Sequence, residues 1–366
     1  MHLKELKLTN FKNYEAQKLL FSKQLNCFVG KNGMGKTNLL DAIYYLCMCK
    51  SYSGINDRKL VIHDGDFFRL EGGFILKKKK EKVVAKVIPG KSKVIEKNDV
   101  PYKKMMDHIG SFPVVMIVPD DTQLVTEGSE IRRKFLDNTL SQLEPLYLSG
   151  LIIYNKVLKQ RNALLKHFAT ERYYDEKLIE SYNQQLLEPA ELIFKSRTSF
   201  IKEFTPLFDQ FYQKISGEQE IVSCKYYSQL LNESLNTLLS QSAKKDSLLQ
   251  RTTCGTHRDD LKFFLGGHSL KNFASQGQLK SFVLALKLAQ YEMLRNYKKV
   301  EPLLLLDDIF DKLDRFRVEH LISLLVENKF GQVFITDTHE SRLQDIIEKF
   351  VSDSKKFVID SGTATL

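Results

Sequence analysis

The spacing of apolar residues changes several times along the chain, and each change predicts a different element. Leu6 and Leu8 alternate with polar neighbours, the period of a half-buried strand, so the chain is predicted to open in one. The run Leu25–Val29 reads as a second strand that enters a glycine-rich loop, and 38–48 then reads as a helix. From about 55 to 118, β-branched and aromatic residues dominate, with Gly72-Gly73 and Pro89-Gly90 as turns. That stretch predicts an antiparallel sheet ending in an apolar strand at 114–118. Past Pro119 the period lengthens. Leu136, Leu140 and Leu143, then Leu151, Tyr154, Leu158 and Leu165, recur at helical spacing, and glycine is sparse to about 250. After Thr252 the α/β pattern resumes. Leu279, Phe282, Val283, Leu286 and Tyr291 predict one long amphipathic helix. The strand Leu303–Leu306, a helix near 318–327 and a strand at 333–336 follow.

Composition narrows the class. A length of 366 residues suggests about two domains. The chain is 43% hydrophobic and 27% charged, which excludes a disordered chain, and no apolar run approaches the roughly 20 residues of a membrane helix. The opening Met1-His2-Leu3-Lys4-Glu5 lacks the apolar stretch of a secretory leader. Five scattered cysteines, an odd number, point to reduced thiols, and a cytoplasmic location is expected. Cys47 and Cys49 have no second pair at metal-ligand spacing and read as buried thiols.

The net charge is +10, and residues 77–104 hold most of it. Eleven lysines there face only Glu81, Glu96 and Asp99, a local excess of +8. Apolar pairs interleave with the lysines and Pro89-Gly90 lies between them, which predicts a β-hairpin with one basic face. Such a face suits an anionic polymer; a merely solvated surface is the alternative. Lys78, Lys80, Lys91 and Lys93 are the candidate DNA contacts.

The strongest motif is Gly30-Lys31-Asn32-Gly33-Met34-Gly35-Lys36-Thr37, a full G-x-x-x-x-G-K-[ST] match between a predicted strand and a predicted helix. Glycines let the backbone curl so that several N–H groups converge on one phosphate, and the helix N-terminus adds unpaired donors. Lys36 is placed to reach the β and γ phosphates and Thr37 to ligate Mg²⁺, and Asn38 completes the candidate nucleotide-binding set. Leu303-Leu304-Leu305-Leu306-Asp307-Asp308 reads as a doubly buried parallel strand ending in two acids. Asp307 is the candidate Mg²⁺ ligand. Asp308 is the candidate catalytic group, with Lys36, acting on the attacking water.

Two further segments specify the kind of nucleotide site. Ser275-Gln276-Gly277-Gln278, at the start of the long helix, resembles the ABC signature, which meets the γ-phosphate held by a second subunit. Asp311-Lys312-Leu313-Asp314 resembles the D-loop, with Asp311 and Asp314 as its candidate residues. The order of P-loop, signature, acidic strand and D-loop is that of ABC ATPases.

Beyond these motifs the chain resembles the RecF family, a relative of the SMC proteins, nearly end to end. The matching segments are Leu8-Thr9-Asn10-Phe11-Lys12-Asn13-Tyr14; Lys50-Ser51-Tyr52 with Asp57-Arg58-Lys59-Leu60; Pro119-Asp120-Asp121; Arg132-Arg133-Lys134-Phe135-Leu136-Asp137; and Gly255-Thr256-His257-Arg258-Asp259-Asp260-Leu261. Thr256 stands where the family has proline, and glutamine in the second signature position is the family's variant. Asp311 replaces the usual D-loop serine, and His339 lies two places late for the switch histidine of transporters. The resemblance adds Arg58 as a weaker DNA candidate. It gives 257–260 importance but no role, leaving open an Arg–Asp lattice or direct catalysis.

The architecture expected from motifs and resemblance is α/β: an ABC-type P-loop head of mixed sheet, flanking helices and an antiparallel lobe, with an inserted helical arm. The head is placed at 1–120 and 252–366 and the arm at 121–251. The resemblance implies an ATP-dependent homodimer on double-stranded and gapped DNA. It also implies a weak DNA-stimulated ATPase, and work with RecR, and with RecO, in loading the recombinase at single-strand gaps. The rival from another class is an ATP-gated scaffold with incidental hydrolysis. A transporter subunit is disfavoured by the signature and the basic hairpin. A nuclease fusion is disfavoured by the 27 residues that follow His339.

Overall fold

A computed structural model of the chain describes residues 1–217, 220–310, 330–338 and 353–366. The chain divides into two compact units. The first comprises Met1–Thr122, Phe211–Glu218 and Gln276–Leu366, and the second Gln123–Gln210 and Gln219–Ser275. Residues 252–275, expected in the head, thus belong to the second unit.

Two sheets build the first unit. One is antiparallel, in the order β2 (Tyr14–Leu20), β1 (His2–Phe11), β4 (Phe68–Leu76), β5 (Lys79–Ile88), β6 (Ser92–Lys97), β7 (Val100–Pro101). The other has the order β15 (Thr363–Thr365), β14 (Ser354–Asp360), β3 (Leu25–Val29), β13 (Val333–Asp337), β12 (Leu303–Leu306), β8 (Val114–Ile117). In this sheet all neighbours are parallel except β14 and β15. Every side chain of β3, β8, β12 and β13 is buried, as a parallel sheet covered on both faces requires.

Helix α1 (Lys36–Met48) buries 11 of its 13 residues, so it is apolar nearly all round rather than amphipathic. It contacts strands of both sheets. Gly72 of β4 permits that approach, because a Cβ there would stand 2.9 Å from Leu46. The rings of Phe11, Tyr45 and Phe68 pack edge to face beside it, and Phe28 stacks on Phe334 across the parallel sheet.

The structure corrects three expectations. The apolar strand at 114–118 does not end the antiparallel sheet; it is β8, paired in parallel with β12. Strands β14 and β15 were not foreseen. The stretch expected as a helical arm, at 121–251, contains a strand, β9 (Val222–Tyr227). The helix expected near 318–327 lies outside the described residues.

The second unit is built on α3 (Ser129–Leu143), α4 (Pro145–Glu171), most of α5 (Glu176–Ser216) and α6 (Leu235–Leu249), with the short helices α2 (Gln123–Thr126) and α7 (Leu270–Phe273). Strand β9 joins β10 (Asp260–Leu265) and β11 (His268–Ser269) in a small antiparallel sheet. Two buried arginines tie the helices together. Arg161 of α4 donates to Asn183 (2.8 Å), Asp246 (2.8 Å) and Thr252 (2.7 Å). Arg197 of α5 donates to Asp137 (2.8 Å), Asp259 (2.7 Å) and the Thr256 carbonyl (2.8 Å). The long helix α8 (Gln276–Lys298) returns the chain to the first unit.

Candidate nucleotide-binding site

The loop 30–37 leaves the C-terminal end of β3 and enters α1, at the edge where open parallel sheets bind ligands. Gly33 (φ 83°) and Gly35 (φ 113°) lie in the left-handed region, where a Cβ is strained. Helix α1 has no side-chain cap and no acid in its first turn, so its first N–H groups remain available to an anion.

Several contacts brace the loop. Asn13, in the turn after β1, donates to the Met34 carbonyl (2.9 Å) and accepts from Asn38 (2.7 Å). Tyr14 donates to the Gly35 carbonyl (3.1 Å), and the Gly362 N–H donates to the Met34 carbonyl (3.1 Å). Asn38, expected at the nucleotide, therefore has its side chain on the bracing residue Asn13. Lys31, Asn32 and Gly33 are exposed, and Met34 is half-buried. Lys36 is buried, its Nζ donating to the Gly30 (2.8 Å) and Lys31 (3.2 Å) carbonyls.

Asp307 follows the last residue of β12 and faces α1. Thr37 Oγ1 is 2.9 Å from both of its carboxylate oxygens, and Thr336 Oγ1 donates to Oδ1 at 2.8 Å. Burial raises the Asp307 pKa, and the hydrogen bonds from Thr336 and Thr37 oppose that rise. A hydroxyl and a carboxylate converging beside a phosphate loop are hard oxygen donors that suit Mg²⁺, which commonly takes one or two carboxylates plus substrate phosphates. Asp308 has φ 42°, a strained value for a residue with a side chain, and its N–H donates to Thr336 Oγ1 (2.9 Å). Thr336 thereby fixes both acids, and nothing in its position at the end of a strand marks it for that role in the sequence.

The segments beyond the motifs have partners distant in sequence. Buried Asp41 binds Lys12 (2.8 Å), the Ser51 hydroxyl (2.8 Å) and the Tyr52 N–H (2.8 Å). The Tyr52 hydroxyl donates to Asp121, and buried Lys287 of α8 reaches Tyr52 (2.6 Å), Asp121 (3.1 Å) and the Met116 carbonyl (3.1 Å). These ties join the end of α1, strand β8 and α8, the helix whose first turn carries the signature. Gln276, Gly277 and Gln278 open α8, and Ser275 immediately precedes it, with Ser275 and Gln276 exposed. Asp311, Asp314 and His339 lie outside the described residues.

The lysine hairpin is present, as β5 and β6 around the Pro89-Gly90 turn, but its lysines do not share one face. Lys93, Ile95 and Lys97 face inward opposite Val87, Ala85 and Val83. Lys93 pairs with Asp57 (3.1 Å) and lies 4.8 Å from the Tyr45 ring centroid. Lys82, Lys86 and Lys97 pair with Asp99, Glu96 and Glu81. Lys78, Lys80 and Lys91 are exposed with no acid at ion-pair distance among the described residues, and Arg58 is likewise exposed. Unpaired positive charge thus collects at the hairpin's ends.

A phosphate loop between a buried parallel strand and a helix, facing an aspartate on a neighbouring strand, with an antiparallel lobe alongside, defines the ABC-type ATPase head. The family model described as the RecF/RecN/SMC N terminal domain matches residues 2–356, and the chain belongs to that family and, within it, to the RecF proteins. The DNA replication and repair protein RecF of Flavobacterium johnsoniae is 45% identical over 348 residues, covering 95% of this chain and 97% of that protein. The protein of the same description from Phocaeicola vulgatus is 42% identical, covering 100% and 98%. A solved structure of the recombination mediator protein RecF-ATP in the RecFOR pathway superposes with a TM-score of 0.89 at 31% identity, covering 100% of this chain and 97% of that one. An Smc head bound to the C-winged helix domain of ScpA superposes at 0.57 with 14% identity and shares the fold. Among the described residues no helix is long and apolar enough to cross a membrane.

Proposed function

We propose that the chain is an ATP-dependent, DNA-binding repair ATPase that dimerises through its heads when ATP is bound. The observation that carries this reading is the convergence of Lys36, Thr37 and Asp307 at the mouth of the parallel sheet. The relative solved as RecF-ATP supports it, and the pathway of that relative supports RecR and RecO as partners in recombinase loading at gapped DNA. The loop N–H groups bind the phosphates, and Lys36 moves from its carbonyl partners to the β and γ oxygens. Thr37 and Asp307 would hold Mg²⁺, which would supply charge neutralisation at the transferred phosphoryl group. Asp308 orients and deprotonates the attacking water. Ser275 and Gly277 complete the γ-phosphate site of a second copy, because one head supplies donors on one side only. Hydrolysis then releases the dimer.

ATP turnover with and without gapped duplex tests this. Wild type is expected to hydrolyse ATP slowly and faster on DNA, while Asp308→Asn retains ATP and loses turnover by about 10²-fold or more. Normal turnover by Asp308→Asn would remove that residue from the mechanism. Turnover indifferent to DNA would favour the scaffold reading, in which dimerisation is the output.

A further inference from the structure

The small sheet of the second unit places Lys225 of β9 directly opposite Lys262 of β10. Like charges in facing positions destabilise a sheet. Both lysines are exposed, and each lies over an aromatic ring of the other strand. Lys225 Nζ is 5.3 Å from the Phe264 centroid, and Lys262 Nζ is 4.2 Å from that of Tyr227. No carboxylate stands at ion-pair distance from either among the described residues. The acid that shares their face, Asp260, gives both oxygens to Arg132, at 2.7 and 3.2 Å. The face is therefore cationic without internal compensation.

Arg258 adds a third charge at the head of β10, in the segment 257–260 that had no role. Its neighbours are pinned inward. Gly255 has φ 112°, and a Cβ there would press on the Tyr154 hydroxyl. His257 sits between that hydroxyl (2.8 Å) and the Thr252 carbonyl (3.1 Å). Asp259 is bound by Arg197 (2.7 Å), and its carbonyl accepts from Arg133 (2.7 Å). Arg258 itself is exposed and has no acid at ion-pair distance among the described residues. A turn this heavily fixed holds one arginine in solvent.

We propose that Arg258, Lys225 and Lys262 form a phosphate-contacting surface for duplex DNA, separate from the hairpin 77–104. The proposal rests on the DNA-binding reading above. Lysine is depleted from the cores of protein–protein interfaces, and two facing lysines with no acid to pair them suit a phosphate backbone better than an acidic protein. Lysine binds phosphate as a point charge and arginine through its fork. The surface positions the duplex and reads no base.

Duplex binding across a salt series tests the proposal, with wild type, the double variant Lys225→Gln/Lys262→Gln, and a triple variant adding Arg258→Gln. Each lost phosphate contact lowers the slope of log K against log salt by about 0.9. The double is expected to lose about 1.8 and the triple about 2.7, equally on unrelated sequences, with ATP binding unchanged. The double variant relieves a like-charge pair and should fold, so it decides the matter if the triple does not. A wild-type slope in a folded double variant overturns the proposal while leaving the DNA reading intact. Unchanged DNA binding with weakened capture of poly-glutamate overturns it in favour of an acidic protein. A wild type that binds no duplex overturns both the proposal and the reading beneath it.

Discussion

The loop 30–37 and the turn 255–260 both begin from backbone that favours glycine: Gly33 at φ 83° and Gly35 at φ 113° in the first, Gly255 at φ 112° in the second. They then use their polar groups in opposite ways. The loop leaves the first N–H groups of its helix uncapped and keeps its lysine on two of its own carbonyls, so its spacing is legible from the motif alone. The turn sends Asp259 inward to Arg197, 62 residues away, and Asp260 to Arg132, 128 away. A motif can therefore be equally conspicuous when its work is structural. The loop too has a distant partner, Asp307, 270 residues from Thr37. What separates the cases is that the spacing of the loop alone marks a phosphate cradle, whereas the turn is explained only by its distant partners. Arg258 is the part of the second turn left facing solvent.

The sharpest way to break this comparison is to remove the central cation of each. Arg197→Ala strands Asp259 and Asp137 in or near the core and is expected to cost about 3–5 kcal/mol in urea unfolding. Lys36→Met keeps an unbranched side chain in a buried position and should alter stability by less than about 1.5 kcal/mol, yet weaken ATP binding on the order of 100-fold. If Arg197→Ala cost under 1 kcal/mol, the lattice would not be what holds the turn.

Acid should act on both units. Burial lowers the pKa of His108, in the first unit, and of His257, in the second, to about 4 each. Their folded values lie below the unfolded value of about 6.5. Between these values the unfolded chain binds more protons, so stability is full above pH 6.5 and is lost as pH falls toward 4. Denaturation curves at pH 7, 5.5 and 4.5 check this. His108→Gln should flatten the dependence, and an unchanged slope would exclude His108 as a source.

The smallest effect concerns the hairpin. Lys93 is held by Asp57 and Tyr45, so Lys93→Gln should leave the salt slope of duplex binding within error. Neutralising Lys78, Lys80 and Lys91 should lower it by as much as about 2.7. A fall in slope on changing Lys93 alone would show that it leaves its pocket for DNA.

The same contrast between local and distant partners explains what could be read beforehand. Leu25–Val29 announces itself as a strand and Leu303–Leu306 as a doubly buried one, and the loop that follows the first is legible from its glycine and lysine spacing. The strand at 114–118 was visible as apolar, but nothing local says which sheet it joins; its pairing with Leu303–Leu306 spans nearly 190 residues. Strand β9 has a legible alternation, with Val222, Cys224 and Tyr226 inward, but it is short and lies between helices. Arg161 and Arg197 look like solvated residues of helices in the linear pattern, because burial of a charge depends on acids elsewhere in the fold. The lysines at 77–104 misled for a related reason. Their excess charge was plain, while the pairings of Lys82, Lys86, Lys93 and Lys97 appear only once the strands are in register.

The central claim is that one chain supplies half of a nucleotide site, Lys36 and Asp307, and that Ser275 and Gly277 of a second copy close it. Size-exclusion chromatography with light scattering tests this most directly, using wild type, Asp308→Asn and Ser275→Arg, each with and without ATP and Mg²⁺. The account predicts a doubling of mass with ATP that is most persistent in Asp308→Asn, and a Ser275→Arg protein that binds ATP yet stays monomeric. A Ser275→Arg protein that dimerises normally with ATP, or that loses ATP binding as a monomer, would contradict it.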